Sequence, residues 1–441
     1  MTPQTHFSIF KTNNYVANHY GKRGILNHFQ KTILPNGIKI LSETIPHVKS
    51  FSLGFWFNVG SRDEVPENNG LTHFIEHMLF KGTKNRSAKK IADDIESYGG
   101  YLNAFTSKEH TCYYGRGLAK HIERTFDVLT DMIQYPLFRE SEIKKEAAVV
   151  IDEMNDIEDN PEELIFDKFE ELLYHNNSLG LSVIGKKENL RNFHRLDLFN
   201  FIEQKYGFNN LTIAASGEVN HNQIVDLANK YIQKDLGKKQ VQRNYSNHKV
   251  LNESRIDKEI QQIHVIIGRE TFGYEDKKRT LINVLSHILG EGSSSRLFQT
   301  VREKNGICYQ INTFLNSFLD VSSFGVYFST NEKYFEKSMN LILGEFKKIR
   351  EKKILPKELN RAKEYLKGSI LLSLESTTNR MFRMAQSEIY FDRINTVEEV
   401  INEIEGVTIN DIIDIANQVL EENSLSKIII GSKNSLAKTA A

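Results

Sequence analysis

The stretch Leu71-Thr72-His73-Phe74-Ile75-Glu76-His77 places two histidines and one glutamate at helical spacing. Because an α-helix has about 3.6 residues per turn, positions 73 and 77 lie on one stripe one turn apart, with position 76 between them. Zinc takes neutral imidazole nitrogens, and a catalytic site keeps one position open for a water whose pKa falls to about 7. Glu76 faces such a metal without having to bind it and can take the water's proton. The stretch therefore predicts a helix that presents a hydrolytic zinc site.

The motif needs support from a third ligand, because a catalytic zinc site usually has three protein ligands and a water. The glutamate precedes the second histidine, which is the reverse of the commoner zinc-peptidase order and a motif in its own right. With 14 histidines in 441 residues, such a pattern arises by chance in roughly a few per cent of chains. Residues 141–154 form an amphipathic helical stretch in which Glu146 and Glu153 share one face. A solvated acidic face is the ordinary alternative for that pair.

Together, these residues resemble the inverted-motif zinc peptidases of the pitrilysin and mitochondrial-processing-peptidase family, M16. His73 to His77, Glu146 and Glu153 follow the family's layout, and the chain length points to its short-subunit, bacterial processing-peptidase-like branch. Asn177 and Ser182 stand where the family usually has prolines, in a loop that we do not expect to touch the metal. Further matching segments are 60–64, 70–72, 78–83, 102–106, 175–185, 289–292, 295–297 and 302–303.

The resemblance implies a role for each residue of the motif. His73, His77 and Glu153 would ligate Zn²⁺, and Glu76 would be the general base. Glu146 would accept the other ring N–H of a ligating histidine, which fixes the tautomer and raises the basicity of that ligand.

The resemblance also implies substrate-binding residues away from the metal. Asn103 and Ala104 match an edge strand that holds substrate extended by backbone hydrogen bonds. Residues 101–113 are rich in aromatic residues and threonine, which predicts a strand, although an ordinary core strand would look the same. Arg302 and Tyr309 are similar to the arginine and tyrosine that hold the scissile carbonyl and stabilise its oxyanion. A structural arginine and a core tyrosine are the alternative.

An internal repeat predicts two homologous domains. A shift of 210 residues places 71–77 on 281–287, where Asn283 stands at the first histidine and Ser286 at the glutamate. A nearby shift places Ser369 opposite Glu153. The second copy has therefore lost its metal set.

We expect an α+β fold, with each domain a mostly antiparallel sheet that carries helices on one face. Strand-like runs alternate with long amphipathic helices, but few helices connect successive strands one to one. The predicted strands include 52–59, 210–216, 262–267 and 324–328, and the predicted helices include 120–133, 162–173 and 334–351. The predicted segments are an N-terminal extension (1–29), a zinc-binding domain (30–235), a linker (236–255), a homologous domain with Arg302 and Tyr309 (256–431) and a tail (432–441).

Composition is ordinary for a globular protein, with 39% hydrophobic and 26% charged residues. The formal net charge of zero argues against a dedicated nucleic-acid binder. The sequence contains no apolar run of 18 residues, so we expect no membrane span. The two cysteines, Cys112 and Cys308, read as small buried side chains in a reducing compartment. The first 42 residues are basic and lack acidic residues. We interpret this segment as an extension of a bacterial cytoplasmic protein, with a transit segment for the mitochondrial matrix as the alternative.

These observations predict a zinc metalloendopeptidase that hydrolyses peptides or presequence-like unfolded segments. The resemblance implies a closed chamber built from two such chains, with Arg302 and Tyr309 of one subunit over the zinc of the other. A homodimer is the simplest arrangement, and a heterodimer stays open. Two other classes remain as alternatives: a non-catalytic scaffold of a larger complex, and a peptide-trapping subunit that binds chains without cleaving them.

Overall fold

The computed structural model describes residues 29–234, 236–239, 241–243 and 253–432. The predicted extension and tail lie outside these residues except for positions 29 and 432, as does much of the predicted linker. No helix in the described ranges is both long enough and apolar enough to cross a membrane. Both cysteines are buried and unpaired.

The first half of the chain forms one six-stranded sheet with helices. Its strands are β1 (Phe29–Ile33), β2 (Lys39–Thr44), β3 (Ser50–Phe57), β4 (Tyr101–Thr106), β5 (Thr111–Leu118) and β6 (Leu211–Gly217). Its helices are α1 (Leu71–Leu79), α2 (Ala88–Glu96), α3 (Ile122–Gln134), α4 (Glu140–Asp159), α5 (Pro161–Leu173), α6 (Lys187–Asn192), α7 (Arg195–Lys205) and α8 (His221–Tyr231). The strand order is β1-β2-β6-β3-β5-β4, and only β2 and β6 pair in parallel.

The second half repeats this arrangement. Its strands are β7 (Glu253–Asp257), β8 (Ile263–Phe272), β9 (Cys308–Ser317), β10 (Val321–Thr330) and β11 (Ser426–Gly431). Its helices are α9 (Lys278–Leu289), α10 (Phe335–Arg350), α11 (Pro356–Ser373), α12 (Thr377–Phe391), α13 (Val397–Gly406) and α14 (Ile409–Val419). The order β7-β11-β8-β10-β9 matches β2-β6-β3-β5-β4, and the parallel pair β7–β11 corresponds to β2–β6.

This architecture confirms the predicted α+β fold with two mostly antiparallel sheets. One prediction is wrong in detail, because residues 101–113 are not a single strand. The chain turns back after β4, where the Ser107 amide donates to the His110 carbonyl oxygen at 2.8 Å, and it continues as β5. The hydroxyl of Ser107 accepts from the His110 amide at 3.1 Å, so local hydrogen bonds of a serine favour a turn within an otherwise strand-like composition.

Each half also covers the second face of the other half's sheet. Helix α5 packs on β8 and β11, where Ile165 and Phe169 meet Ile266 and Ile428. Helix α12 packs on β2, β3 and β6. Strands β3 and β6 are therefore buried on both faces, which explains why their sequences are nearly continuous apolar runs instead of alternating ones.

A buried ion cluster joins the two halves close to α1. The Arg62 guanidinium donates to both carboxylate oxygens of Asp320, at 2.9 and 2.6 Å, and to Glu109 at 2.6 Å. Glu109 also accepts from the backbone amide of Leu319 at 3.0 Å. Burial alone would lower the pKa of Arg62, but the hydrogen bonds and charges of Asp320 and Glu109 raise it above its ordinary value. The cluster ties the loop before α1 and the β4–β5 turn to the β9–β10 hairpin.

Asp320→Asn should lower the free energy of unfolding by about 1–3 kcal/mol, because it removes one charge from a pair whose arginine stays buried. The Arg62 side chain is only 1% exposed, whereas that of Asp320 is 25% exposed. Urea titration followed by circular dichroism measures the change. Asp159→Asn is the matched control, since Asp159 is 87% exposed and pairs with Lys258 only at 3.8 Å. An equal effect of both variants would contradict a structural role for the cluster.

Candidate metal site and substrate cleft

The metal-site helix begins at a fixed point against two other segments. Gly70 has φ +99° and lies so close to Gly185 that a Cβ on Gly70 would come within 2.8 Å of the Gly185 Cα. The buried carboxylate of Glu64 accepts from the backbone amides of Gly70 at 2.8 Å and Thr72 at 2.6 Å, which satisfies amides that the first helical turn leaves unpaired. Burial raises the pKa of Glu64 to about 7, although hydrogen bonds from Thr72, Gly70 and Asn69 oppose that shift.

Helix α1 buries one face and presents the other to the cleft. The buried residues are Leu71, Thr72, Phe74, Ile75, Met78 and Leu79. His73, Glu76 and His77 are half-buried on the remaining stripe. This is the arrangement that the spacing of the three residues predicts.

The structure brings Glu153 to the two histidines. Its Oε2 lies 3.9 Å from His73 Nε2 and 3.7 Å from His77 Nε2. One ligand atom from each of the three residues lies within 4.8 Å of the others. Tetrahedral zinc with bonds of about 2.1 Å holds its ligand atoms about 3.4 Å apart, so the three side chains fit this ion after a small contraction.

Glu146, seven residues before Glu153 on α4, orients His77. Its Oε1 lies 2.9 Å from His77 Nδ1, and because a carboxylate can only accept, Nδ1 carries the proton and Nε2 keeps its lone pair. Lys81 approaches the other Glu146 oxygen at 2.6 Å. Burial would raise the pKa of Glu146, but the hydrogen bonds from His77 and Lys81 outweigh it and lower the pKa.

Lys81 was missed by the sequence analysis, although it continues the His73–His77 stripe by one more turn. Thr106 was also missed as a contact of the metal helix. Its hydroxyl donates to Glu76 Oε2 at 2.6 Å from the end of β4. Burial raises the pKa of Glu76, and the hydrogen bond from Thr106 opposes the shift in part. A glutamate with a raised pKa is better matched to proton transfer near neutral pH than an exposed one.

The two histidines have opposite pKa shifts. Burial, and then the charge of His77, lowers the pKa of His73 to about 4. Its Nδ1 is buried and has no hydrogen-bond partner within the described residues. Burial would also lower the pKa of His77, but the hydrogen bond to Glu146 and the charges of Glu76, Glu146 and Glu153 raise it. The pair thus contains one imidazole whose neutral form burial favours and one whose protonated form the neighbouring carboxylates favour.

A cleft of about 740 Å³ opens over the metal set and extends to the second half of the chain. Acidic side chains dominate its charged lining, with Glu163, Asp167 and Glu170 on α5 in addition to Glu76 and Glu153. Phe314, Asn316, Phe318 and Ser323 form the wall contributed by β9, β10 and their connecting turn.

Strand β4 forms the open edge of the first sheet beside this cleft, since among the described residues it pairs only with β5. Ala104 lines the cleft. Its backbone amide donates to the side-chain oxygen of Asn103 at 2.9 Å, and the Asn103 amide nitrogen donates to the Tyr101 hydroxyl at 2.8 Å. The edge amide is therefore occupied by a neighbouring side chain that an added strand would displace.

The structure does not bring Arg302 and Tyr309 to the metal set of the same chain. Arg302 lies in a π-helical turn (Phe298–Glu303), with its guanidinium 5.0 Å from the ring centre of Tyr309. Tyr309 is 75% exposed, and neither residue lines the cleft. The two side chains are neighbours, with Tyr309 exposed and Arg302 half-buried in the isolated chain.

Two protein-family models match the chain. Residues 39–187 match the family described as Insulinase (Peptidase family M16), and residues 192–366 match the Peptidase M16 inactive domain. The fold and the candidate site are those expected of a peptidase with one metal-binding domain and one homologous domain that lacks the metal set. The chain belongs to peptidase family M16.

Curated relatives include the uncharacterized zinc protease YmxG of Bacillus subtilis, which is 34% identical over 90% of this chain and 97% of the relative. An uncharacterized zinc protease of Rickettsia felis is 33% identical over 91% of this chain and 97% of its own length. A crystal structure of a protease from Helicobacter pylori has a TM-score of 0.86 at 21% identity, covering 92% of this chain and 100% of that one. These relatives are bacterial.

The β4–β5 turn carries a second imidazole of low pKa. His110 is buried against the rings of Trp56, at 5.2 Å, and Phe105, at 6.0 Å. Burial, and then the charge of Arg243, lowers the pKa of His110 from 6.5 to about 4. The unfolded chain therefore binds a proton at higher pH than the folded chain does.

We predict that His110 makes the free energy of unfolding fall as the pH drops from about 6.5 to about 4, by up to about 3 kcal/mol. Above about pH 6.5 His110 is neutral in both the folded and the unfolded chain, so this loss of stability is absent. Urea titrations of the metal-free protein at several pH values measure the slope. His110→Asn should reduce the slope, with the share of His73 remaining, and His47→Asn, at an exposed position, should leave it unchanged. Equal slopes for wild type and His110→Asn would contradict the prediction.

Proposed function

We propose that the protein is a zinc-dependent endopeptidase that hydrolyses peptides or presequence-like unfolded segments. The observation that carries this proposal is the approach of Glu153, from α4, to the two imidazoles of α1, with Glu76 beside them and a cleft above. The names of the curated relatives as zinc proteases support it. The two buried, unpaired cysteines agree with a reducing compartment, and we propose the bacterial cytoplasm.

His73, His77 and Glu153 would hold the zinc, and Glu146 would keep His77 in the required tautomer. When bound, zinc supplies a Lewis acid for the scissile carbonyl and lowers the pKa of a water molecule. Glu76 removes a proton from the attacking water and delivers it to the leaving amine nitrogen. The hydroxyl of Thr106 holds the Glu76 carboxylate at one oxygen, which leaves the other oxygen for the proton.

We propose that substrate adds to β4 as an extended strand, with Asn103 and Ala104 as its contacts. The Asn103 side chain would leave the Ala104 amide as the substrate carbonyl arrives. Because Glu163 and Asp167 line the cleft, along with a Glu170 that pairs with Lys108 at 3.3 Å, substrates with basic residues near the scissile bond should bind best. The acidic lining therefore favours presequence-like substrates, which are basic, over peptides with acidic residues near the scissile bond.

We propose a homodimer in which Arg302 and Tyr309 complete the site of the partner chain. Within one chain these residues lie outside the cleft, and a half-buried arginine whose guanidinium lies against the ring of an exposed tyrosine is suited to a contact across an interface. There they would donate to the oxyanion that forms at the scissile carbonyl.

Glu76→Gln should lower peptide hydrolysis by about a thousandfold, because the general base is lost, while the three metal ligands stay in place. Quenched fluorescent peptides measure the rate, and mass spectrometry under native conditions measures the bound zinc. Glu96→Gln, an exposed glutamate of α2, is the control and should match wild type. Unchanged turnover in Glu76→Gln would reject the mechanism. Saturable peptide binding without cleavage products in wild type would favour the peptide-trapping alternative.

Mixing two inactive variants tests the action of Arg302 across the dimer. Arg302→Ala should lower the rate by about a hundredfold or more through loss of the oxyanion contact. A mixed dimer of Arg302→Ala with Glu76→Gln contains one intact composite site, so random subunit exchange should restore about a quarter of wild-type activity. Size-exclusion chromatography with light scattering confirms the dimer. No recovery after demonstrated exchange would show that Arg302 does not act in trans.

A further inference from the structure

A second cavity, of about 420 Å³, lies between the two halves next to the metal cleft. The two cavities share four wall residues, so they adjoin. The shared residues are Phe105, Ser107, Asn316 and Phe318. The other walls of the second cavity come from the β4–β5 turn, the beginning of α9 and helix α12. A peptide bound in the cleft can therefore place one of its groups in this cavity.

The cavity lies over the degenerate copy of the metal site. Asn283 on α9 lines it at the position that corresponds to His73. The other remnants of the copied site bond to one another. The Ser286 hydroxyl lies 3.0 Å from Glu291 and 2.9 Å from the Thr313 hydroxyl, and His287 lies 3.2 Å from Glu291. Asn283 is left facing the cavity.

The side chains of Arg279, Asn283 and Gln386 in these walls make no hydrogen bond or ion pair with any described residue. Arg279 lies 4.4 Å over the ring of Tyr274, which stacks on Tyr390 at 4.0 Å. Arg279 and Asn283 are four residues apart on α9 and share one helix face. His110, which also lines the cavity, is buried with an Nδ1 that has no partner within the described residues. An uncompensated guanidinium beside carboxamides is suited to a carboxylate, which accepts two parallel N–H donors.

The acidic residues of the walls do not compete for Arg279. Glu109 already accepts from Arg62 and the Leu319 amide. Glu291 follows the far end of α9, and the ten residue steps from Arg279 to Leu289 correspond to about 15 Å along the helix axis at about 1.5 Å per residue. Glu291 instead lies 3.2 Å from His287 and accepts from the Ser286 hydroxyl at 3.0 Å.

We propose that this cavity is a carboxylate-binding subsite, in which Arg279, with Asn283 and Gln386, binds an acidic group of a peptide that also occupies the metal cleft. The proposal rests on the proposed peptidase function. It adds a requirement to the substrate: basic residues near the scissile bond, and a carboxylate at a fixed distance from it. The carboxylate comes from an aspartate or glutamate side chain or from the peptide's C-terminus.

Binding of matched peptides to zinc-loaded Glu76→Gln protein tests the subsite without any hydrolysis. One set of labelled peptides scans Glu against Gln along a common sequence, and a second set compares a C-terminal acid with the amide. We expect one position to favour the acid by about tenfold in Kd, as a charge-assisted pair would. Adding Arg279→Gln should reduce that ratio to about one, and Asn283→Ala should reduce it in part. Fluorescence anisotropy measures each Kd.

Lys278→Gln is the matched control, because Lys278 precedes Arg279 on the same turn but stacks on Phe272 and does not line the cavity. It should keep the tenfold ratio. The proposal is overturned if no acidic position and no free C-terminus is favoured, if the ratio survives Arg279→Gln, or if Lys278→Gln lowers it equally. Absence of hydrolysis by wild-type protein would instead remove the peptidase function and leave this binding result to decide the subsite.

Discussion

The exchange of helices between the two halves is the constraint on which the sites depend. A sheet buried on one face only would leave the other apolar face of β3 and β6, or of β8 and β11, in water. Helix α12 covers the first sheet and α5 covers the second. Because α5 continues directly from α4, which carries Glu153, the third candidate metal ligand belongs to a helical segment that is anchored in the second half. The cleft and the adjoining cavity exist because this exchange fixes the two halves side by side.

The metal set itself is assembled from parts that are held independently. Helix α1 is positioned at its beginning by the Gly70–Gly185 approach and by the Glu64 carboxylate. The Arg62 cluster then connects the loop before α1 to the β9–β10 hairpin, which forms a wall of the cleft. The Glu64 carboxylate and the Arg62 guanidinium are both buried, so their contacts lose little to solvent screening. A ligand triad that must hold atoms within a few tenths of an ångström requires support of this kind.

The sequence was sufficient for the local part of this structure. The one-turn spacing of His73 and His77 and the one-face placement of Glu146 and Glu153 follow from helix geometry, and the repeat at 210 residues led to two sheets of the same strand order. Contacts that depend on how the halves pack were not accessible. Nothing in the sequence near Arg62 indicates Asp320 as its partner, and Thr106 meets Glu76 only because β4 ends beside α1. The turn at Ser107 was missed because aromatic and threonine residues on both sides favour strand, and only its side-chain hydrogen bonds show the break.

In the second half, the positions that correspond to the candidate metal-site residues carry other side chains. In the first half, burial of His73 and Glu76 is tolerable because a metal and Thr106 can satisfy them. In the second half the corresponding carboxylate and imidazole positions carry Ser286 and Asn283, and a closed hydrogen-bond set with Thr313 and Glu291 satisfies the buried serine. Burying polar groups without partners would destabilise the fold. Helix α9 therefore needs no metal to satisfy its buried serine. Arg279 and Asn283, whose side chains hydrogen-bond to no described residue, face the cavity.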